Sequence, residues 1–208
     1  MITKAIKMTF NEGKINSQKD LVKEEKRERR KQMIRRLGEQ SSSERKEKSS
    51  VIRERLLLSA EFKDASTVLA YVSLPQEVDT EDFIQEALKQ GKRVGVPYII
   101  PGGSKMIASE IKTNYRFARG PLGISQPEGS EIKAIPMEEI DLVVVPALAY
   151  DRSNTRLGRG KGFYDTFLSP GGTRSPKTIG IAFDFQVVER LPKDPHDRPV
   201  ERVITENN

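Results

Sequence analysis

Short apolar runs alternate with amphipathic stretches along most of the chain. The run Leu142–Val145 is unbroken and is closed by Pro146, a pattern typical of a strand that is buried on both faces. Similar runs predict strands at residues 67–72, 93–97 and 178–183, and a short final strand near Val203. Because strands alternate with helices, we predict an α/β protein with three layers, α/β/α, around a mostly parallel open sheet.

The amphipathic stretches predict helices that have recognisable start and stop signals. A first helix at residues 19–37 is polar on most of its surface. Ser41 and Glu44 form a capping box that opens a second helix, and Asp79 or Thr80 caps a third helix, which ends at Gly91. We expect the N-terminal helices to pack against the sheet. The residues that we expect to be buried are Val51, Ile52 and Leu56 in the second helix and Phe83, Ile84, Ala87 and Leu88 in the third.

The length of the chain, 208 residues, gives room for one domain with a sizeable core. Residues 1–18 lack hydrophobic periodicity, so we expect a loose N-terminal extension followed by a single domain over residues 19–208. Residues 98–140 are rich in glycine and proline. We expect a looser region there, with short strands near residues 106–111.

Composition limits the cellular context. The sequence contains no cysteine, which excludes disulfides and thiolate metal sites. No apolar run approaches the ~18 to 20 residues of a membrane span. The N-terminus lacks the apolar core of a secretory signal and has no arginine before Arg27, unlike a transit peptide. We therefore expect a cytoplasmic protein with no membrane partner.

The net charge of +6 is concentrated near the N-terminus. Residues 21–55 contain 13 Lys/Arg and 7 Asp/Glu, which accounts for the whole excess. Such a segment can be a solvated helix face, a nucleic-acid footprint or part of a site for an anionic ligand. No aromatic residue lies among these charges, which counts against stacking on single-stranded nucleic acid.

The segment after the Leu142–Val145 run carries the strongest chemical signal. Residues 151–168 read DRSNTRLGRGKGFYDTFL, in which three glycines alternate with two cations, Arg156 precedes them and Asp165 follows. Glycine lets successive N–H groups approach one oxygen atom, and Arg and Lys side chains add charge-assisted hydrogen bonds. A buried strand, a basic glycine loop and a helix start therefore predict a polyphosphate site at the edge of the sheet.

Asp165 would be repelled by phosphates unless a cation lies between them, and Mg²⁺ is the usual one. The glycine spacing matches neither the P-loop nor the dinucleotide-binding fingerprint. On the residues alone, a surface turn with solvated charges is an equally open interpretation.

Several motifs together resemble the 5-formyltetrahydrofolate cyclo-ligase family. The stretches PALAYD (residues 146–151) and RLGRGKGFYD (residues 156–165) resemble its signature. Lys26 and Arg30 resemble its N-terminal nucleotide-contacting pair, and YVSLPQEVDT (residues 71–80) resembles the segment whose glutamate holds the folate. The His196-Asp197 pair resembles part of the closing segment. The resemblance extends over roughly residues 21–206, in the order of the family.

The resemblance implies ATP-dependent closure of 5-formyltetrahydrofolate to 5,10-methenyltetrahydrofolate, with release of ADP and phosphate and with Mg²⁺ as cofactor. It implies catalytic roles for Arg159 and Lys161 and metal binding by Asp165 and Asp197. The ATP-binding residues that it implies are Lys26, Arg30, Arg156, Leu157, Gly158, Arg159, Gly160, Lys161, Gly162, Phe163 and Tyr164. The substrate-binding residues that it implies are Val72, Glu77, Arg159, Gly160, Lys161, Gly162 and Phe163. We expect a monomer that binds these small molecules and no nucleic acid.

Three positions depart from the family pattern. Phe163 replaces a commoner tyrosine and so lacks a hydroxyl group, Arg29 stands where leucine is usual, and Tyr150 stands where phenylalanine is usual. Three alternatives remain open at this point: a homologue that binds folate or nucleotide without turnover, a nucleic-acid-binding module that uses the basic helices, and a sugar-phosphate isomerase or transferase on a similar scaffold.

Overall fold

The computed structural model describes residues 18–102, 105–128, 132–169 and 174–208. The extension predicted at residues 1–18 lies outside these ranges except for Gln18, which begins the first helix. The helices are α1 (Gln18–Glu39), α2 (Ser42–Leu58), α3 (Ala60–Asp64), α4 (Glu81–Lys89) and α5 (Phe163–Phe167). The strands are β1 (Thr67–Ala70), β2 (Arg93–Ile99), β3 (Met106–Ile111), β4 (Phe117–Arg119), β5 (Ser125–Pro127), β6 (Ala134–Ile135), β7 (Leu142–Val145), β8 (Ala149–Asp151), β9 (Arg156–Leu157), β10 (Lys177–Ile181), β11 (Val187–Val188) and β12 (Arg202–Ile204).

The central sheet has seven strands in the order β12-β10-β7-β1-β2-β3-β6. Neighbours from β12 to β2 are parallel, and β3 and β6 add an antiparallel edge. The prediction of a mostly parallel sheet is therefore confirmed. Residues 98–140 are more regular than predicted, because residues 106–111 form a single strand that pairs along β2. The predicted ends of β1, β2 and β10 are wrong by one or two residues.

Helices α1 to α4 cover one face of the sheet with a large apolar cluster. It joins Met33 and Leu37 of α1 to Ile52 and Leu56 of α2 and to alternate residues of the central strands. A second cluster on the other face includes Val143, Val145 and Tyr150, with Tyr164 and Phe167 packed against it. The three-layer prediction is confirmed, although α5 has five residues and most of that layer is irregular chain.

The start of α2 follows the prediction. The Ser41 hydroxyl accepts the N–H of Glu44, and the Glu44 carboxylate accepts the N–H of Ser41, which completes a capping box. Ile52 and Leu56 are buried as expected, but Val51 is only half-buried because it lies at the margin of the inner face.

The start of α4 differs from the prediction. Thr80 is the N-cap residue by position, but its hydroxyl donates to the carbonyl of Tyr71 and does not cap the helix. The Asp79 carboxylate accepts the N–H of Glu81 instead. Phe83, Ile84 and Ala87 are buried and Leu88 is half-buried.

The parallel strands place two segments at one edge of the sheet. β1 and β7 are parallel neighbours, so the residues after Ala70 and those after Val145 leave the sheet at the same, carboxyl edge. The chain after β7 first forms β8 and β9 and then enters the glycine loop at residues 158–162. β8 and β9 belong to a small sheet, in the order β11-β8-β9, which the sequence did not predict. None of the helices in the described ranges is long and apolar enough for a membrane crossing.

Candidate active site

The glycine loop (residues 158–162) has a backbone that only glycine adopts easily. Gly160 has φ 98° and Gly162 has φ 69°, both in the left-handed region. The carbonyl of Gly158 accepts a hydrogen bond of 2.9 Å from Nε of Arg30. A Cβ on Gly160 would lie 3.4 Å from Cζ of the same arginine. The loop is therefore docked on α1, and its glycines permit the close approach of the guanidinium group.

Helix α1 presents two cations to the loop and to the C-terminal segment. Lys26 is buried and Arg30 half-buried, on the same face of the helix as the core residues Met33 and Leu37. Nζ of Lys26 lies 2.6 Å from Oδ2 of Asp197. The structure therefore brings together three elements that the sequence separates widely: α1, the glycine loop and the segment around Asp197.

Two other basic residues of α1, Lys31 and Arg35, lie on its exposed face. Lys31 pairs with Glu28, and Arg35 pairs with Glu39, in exposed contacts along the helix. This arrangement distinguishes the inner pair Lys26 and Arg30 from the solvated face of α1.

Arg156 and Asp165 form a second ion pair. Arg156 is buried on β9, and its Nη2 lies 2.7 Å from Oδ1 of Asp165. The main chain of Arg198 links the two side chains, because its N–H donates to Asp165 and its carbonyl accepts from Nε of Arg156. Sequence reasoning missed Arg198, and no side-chain motif could have found it, since the contacts are made by its backbone.

Arg159 joins the glycine loop to the segment that follows β1. Its Nε and Nη2 both donate to Oε1 of Glu77, at 3.0 and 2.8 Å. The second oxygen of Glu77 accepts the N–H of Leu74 at 3.0 Å. The Arg159 side chain is 40% exposed and that of Glu77 is 12% exposed. Arg159, which was expected to bind phosphate, is therefore hydrogen-bonded to Glu77, which was expected to bind folate.

Lys161 differs from the other four predicted cations. It is exposed and makes no hydrogen bond or ion pair with any part of the chain that the structure describes.

The apolar residues predicted for the site differ in burial. Val72 and Phe163 are half-buried, and Leu157 is fully buried in the core. The side chain of Leu157 is therefore not available to a ligand.

A group of tyrosines lies close to Glu77. Burial, and then the Glu77 carboxylate, raise the pKa of Tyr71 and of Tyr164 well above the ordinary value. Burial raises the pKa of Tyr150 too. The hydroxyl groups of Tyr71 and Tyr150 donate to the carbonyls of Val78 and Val145. The hydroxyl of Tyr164 is buried and has no partner within the described ranges. All three phenols remain protonated donors at neutral pH.

The two predicted metal ligands are each paired with a cation. Oδ1 of Asp165 is engaged by Arg156 and by the N–H of Arg198, and Oδ2 of Asp197 is engaged by Lys26 and by the N–H of Asp194. The buried Arg156 offsets the charge of Asp165, so the repulsion argument for a metal is weaker than the sequence suggested.

The carboxylates of Asp165 and Asp197 still have oxygens that suit Mg²⁺. Among the described residues no three acidic or histidine side chains cluster as a metal site. The second carboxylate oxygen of Asp165 and that of Asp197 make no hydrogen bond within those residues. Mg²⁺ is commonly held by one or two carboxylates together with water and phosphate oxygens, which such a pair of oxygens suits.

Asp151, in the PALAYD stretch, and Gln186, which follows β10, have structural roles. Asp151 is buried and accepts hydrogen bonds from Ser153, Thr155 and Leu191. Burial acts to raise the pKa of Asp151, but these hydrogen bonds outweigh it and hold the pKa below its ordinary value. Gln186 is buried and donates to the carbonyls of Ala147 and Leu148. These contacts fix the chain on either side of the glycine loop.

The fold and the site together define a class. The molecule is an open α/β protein with a cation-rich glycine loop at the carboxyl edge of its sheet, where such folds bind ligands. The model of the 5-formyltetrahydrofolate cyclo-ligase family matches residues 22–206. The chain belongs to this family.

Similar proteins agree with this assignment. A probable 5-formyltetrahydrofolate cyclo-ligase from Caenorhabditis elegans is 32% identical over 195 residues, which cover 89% of this chain and 94% of that protein. The 5-formyltetrahydrofolate cyclo-ligase of Mus musculus is 29% identical over 195 residues, covering 90% and 96%. The NMR structure of the Aquifex aeolicus 5,10-methenyltetrahydrofolate synthetase superimposes with a TM-score of 0.76 at 33% identity, covering 88% of this chain and 90% of that chain.

Proposed function

We propose that the protein catalyses the ATP-dependent cyclisation of 5-formyltetrahydrofolate to 5,10-methenyltetrahydrofolate. The observation that carries the proposal is the meeting of α1, the glycine loop and the segment after β1 at one edge of the sheet. This edge presents several cations beside the carboxylates of Glu77, Asp165 and Asp197. Membership of the cyclo-ligase family supports the same reaction.

The chemistry suits a site without an obvious nucleophile. The formyl oxygen attacks the γ-phosphorus of ATP, the bond to the bridging oxygen breaks, and ADP leaves. The secondary aryl amine of the folate then attacks the formyl carbon, loses its proton to solvent, and the carbon–oxygen bond to phosphate breaks. Phosphoryl transfer depends mostly on positioning and on neutralising charge. A loop of glycines and cations supplies both.

The proposed nucleotide site is the inner face of α1 together with the glycine loop. Lys26, Arg30 and Arg156 hold the shape of the site through their protein partners. Arg159 and Lys161 are the cations that can move to the phosphates, because both are exposed. The loop N–H groups at residues 158–162 contribute further donors. The unpartnered hydroxyl of Tyr164 supports a ligand acceptor nearby.

The proposed folate site centres on Glu77 and the half-buried Val72 and Phe163. A carboxylate is an acceptor-only group, and it matches the N–H donors along the edge of a pterin ring. Asp165 and Asp197 would hold Mg²⁺ through their second oxygens. When bound with the nucleotide, Mg²⁺ would neutralise phosphate charge.

The outer surface of α1 supports small-molecule partners over nucleic acid. Arg27, Lys31 and Arg35 each pair with a glutamate of the same helix. Such pairs are typical of a solvated helix face. We propose a monomer that binds no nucleic acid and acts in the cytoplasm. One similar protein, from Arabidopsis thaliana, carries the word mitochondrial in its name, so cell fractionation is the test of location.

One absorbance assay tests the reaction. Purified protein is mixed with 5-formyltetrahydrofolate and Mg²⁺, and the methenyl product is followed by its absorbance with and without ATP. We expect product only with ATP. No product in the presence of ATP would contradict the proposal.

Lys161→Ala is the cleanest variant for this assay, because Lys161 has no partner among the described residues whose loss would affect folding. We expect turnover to fall by about 10²-fold if the ammonium group contacts the transferring phosphate. Lys63→Ala is the matched control, since Lys63 is exposed on α3 at the opposite edge of the sheet. Equal turnover in the two variants would remove Lys161 from the site.

A further inference from the structure

The ion pair between Arg159 and Glu77 links the two proposed substrate sites. Oε1 of Glu77 accepts two N–H groups of Arg159, and Oε2 accepts the N–H of Leu74. Both carboxylate oxygens are therefore occupied by donors of the protein itself. A pterin ring that approaches Glu77 has to compete with the fork of two hydrogen bonds from Arg159.

The two partners differ in how easily they can move. Glu77 is 12% exposed and is fixed by its own loop, whereas the Arg159 side chain is 40% exposed. Arg159 lies between Gly158 and Gly160 in the glycine loop. Rearrangement of the pair is therefore expected at the arginine, while the glutamate stays in place.

A phosphate group competes more strongly for Arg159 than the carboxylate of Glu77, its partner in the structure. A triphosphate carries more charge than one carboxylate and offers several oxygens to the same guanidinium fork. Lys161, two residues away, has no partner in the described parts of the chain and can attract the anion to the loop. An anion held there lies beside Arg159 and draws it from Glu77.

We propose that nucleotide binding at the glycine loop turns Arg159 away from Glu77 and frees that carboxylate for the folate. The two substrates then bind with positive coupling, with nucleotide first. This inference rests on the proposed function, because it takes Glu77 as a folate contact and the loop as a phosphate site. Coupling between two ligands is reciprocal, so folate must strengthen nucleotide binding by the same factor.

The test is calorimetry of 5-formyltetrahydrofolate binding with and without saturating non-hydrolysable ATP analogue and Mg²⁺. For the unmodified chain we expect the analogue to tighten folate binding by about tenfold, within the usual range of coupling between sites. In Arg159→Ala the ratio of the two affinities should fall close to one, because Glu77 is free in both conditions. A ratio that stays near tenfold in Arg159→Ala overturns the inference.

Lys161→Ala is the matched control. It removes a cation from the same loop but leaves the pair between Arg159 and Glu77 intact. We expect it to weaken binding of the analogue and, once the analogue is saturating, to keep the coupling ratio of the unmodified chain. Loss of coupling in Lys161→Ala equal to that in Arg159→Ala would mean that general loop charge, and not the ion pair, links the sites, which overturns the inference.

The absorbance assay separates failure of this inference from failure of the proposed function. If product forms only with ATP but nucleotide leaves the folate affinity unchanged, the coupling is overturned and the proposed function stands. Absence of folate binding in both conditions, with no product formed, overturns both.

Discussion

The ion pair between Lys26 and Asp197 gives the sharpest test of how the site is held together. The Lys26 side chain is 10% exposed and that of Asp197 is 14% exposed, with 2.6 Å between Nζ and Oδ2. Lys26→Met removes the charge and keeps most of the aliphatic stem. Among the described residues, it leaves the carboxylate of Asp197 with the N–H of Asp194 as its remaining hydrogen-bond partner.

The expected cost follows from burial. Removal of one partner from a fully buried pair costs about 3–5 kcal/mol. Because Asp197 keeps some exposure and one hydrogen bond, we expect a loss of about 2–3 kcal/mol in the free energy of unfolding. With a urea m-value of about 2.5 kcal/mol/M for a chain of this size, the unfolding midpoint should fall by roughly 1 M.

The assay is urea unfolding followed by circular dichroism, with two comparisons. Lys31→Ala removes a cation from the exposed face of the same helix, and we expect no measurable shift in the midpoint. The double variant Lys26→Met with Asp197→Asn removes both charges of this pair, so the buried carboxylate is no longer left without its cation. The carboxylate of Asp194, 3.8 Å from Nζ of Lys26, is 36% exposed and can be solvated. We expect the double variant to be more stable than Lys26→Met alone.

Two results would refute this reasoning. A wild-type midpoint for Lys26→Met would mean that the carboxylate of Asp197 is fully solvated after the change. A double variant that is less stable than Lys26→Met would mean that the lysine stem and the carboxylate act through packing and not through their charges.

The remaining predictions concern two carboxylate positions of the site and one structural aspartate. Asp165→Asn and Asp197→Asn should each raise the Mg²⁺ concentration needed for half-maximal turnover and leave folate affinity unchanged. A titration of turnover against Mg²⁺ checks this. An unchanged Mg²⁺ requirement in both variants would argue against a metal at these carboxylates. Asp151→Asn should destabilise the fold by about 2 kcal/mol at neutral pH, because an amide places a donor against backbone N–H groups. Although burial opposes it, hydrogen bonding holds the pKa of Asp151 low, so its stabilising effect is present at neutral pH and is lost as pH falls through the folded value. Urea midpoints between pH 7 and about pH 3 should therefore converge for the variant and the unmodified chain, and parallel curves would contradict the assignment.

The strand pattern could be predicted because the central strands are continuous apolar runs. Leu142–Val145 is buried along its whole length, as two-sided burial requires. The antiparallel edge was harder to predict, because β3 mixes polar and apolar residues and β6 has two residues. A strand of two residues carries no periodicity, and its pairing depends on neighbours that are distant in the chain.

The composition of the site was predictable, whereas its pairings were not. The alternation of glycine and cations marks the loop, and the spacing of Lys26, Arg30, Met33 and Leu37 could have identified the inner face of α1. Nothing in the sequence pairs Arg159 with Glu77 or Lys26 with Asp197. Those contacts depend on the order of strands in the sheet, which brings the segments to one edge.

The contacts that build the site join remote parts of the chain. Lys26 and Asp197 are 171 residues apart, Arg30 and Gly158 are 128 apart, and Arg159 and Glu77 are 82 apart. Each contact closes a long loop, and such contacts form late because the entropy of loop closure opposes them. A chain that is still emerging from the ribosome therefore has no assembled site. During refolding, the return of activity marks the completion of the whole fold and not the collapse of its core.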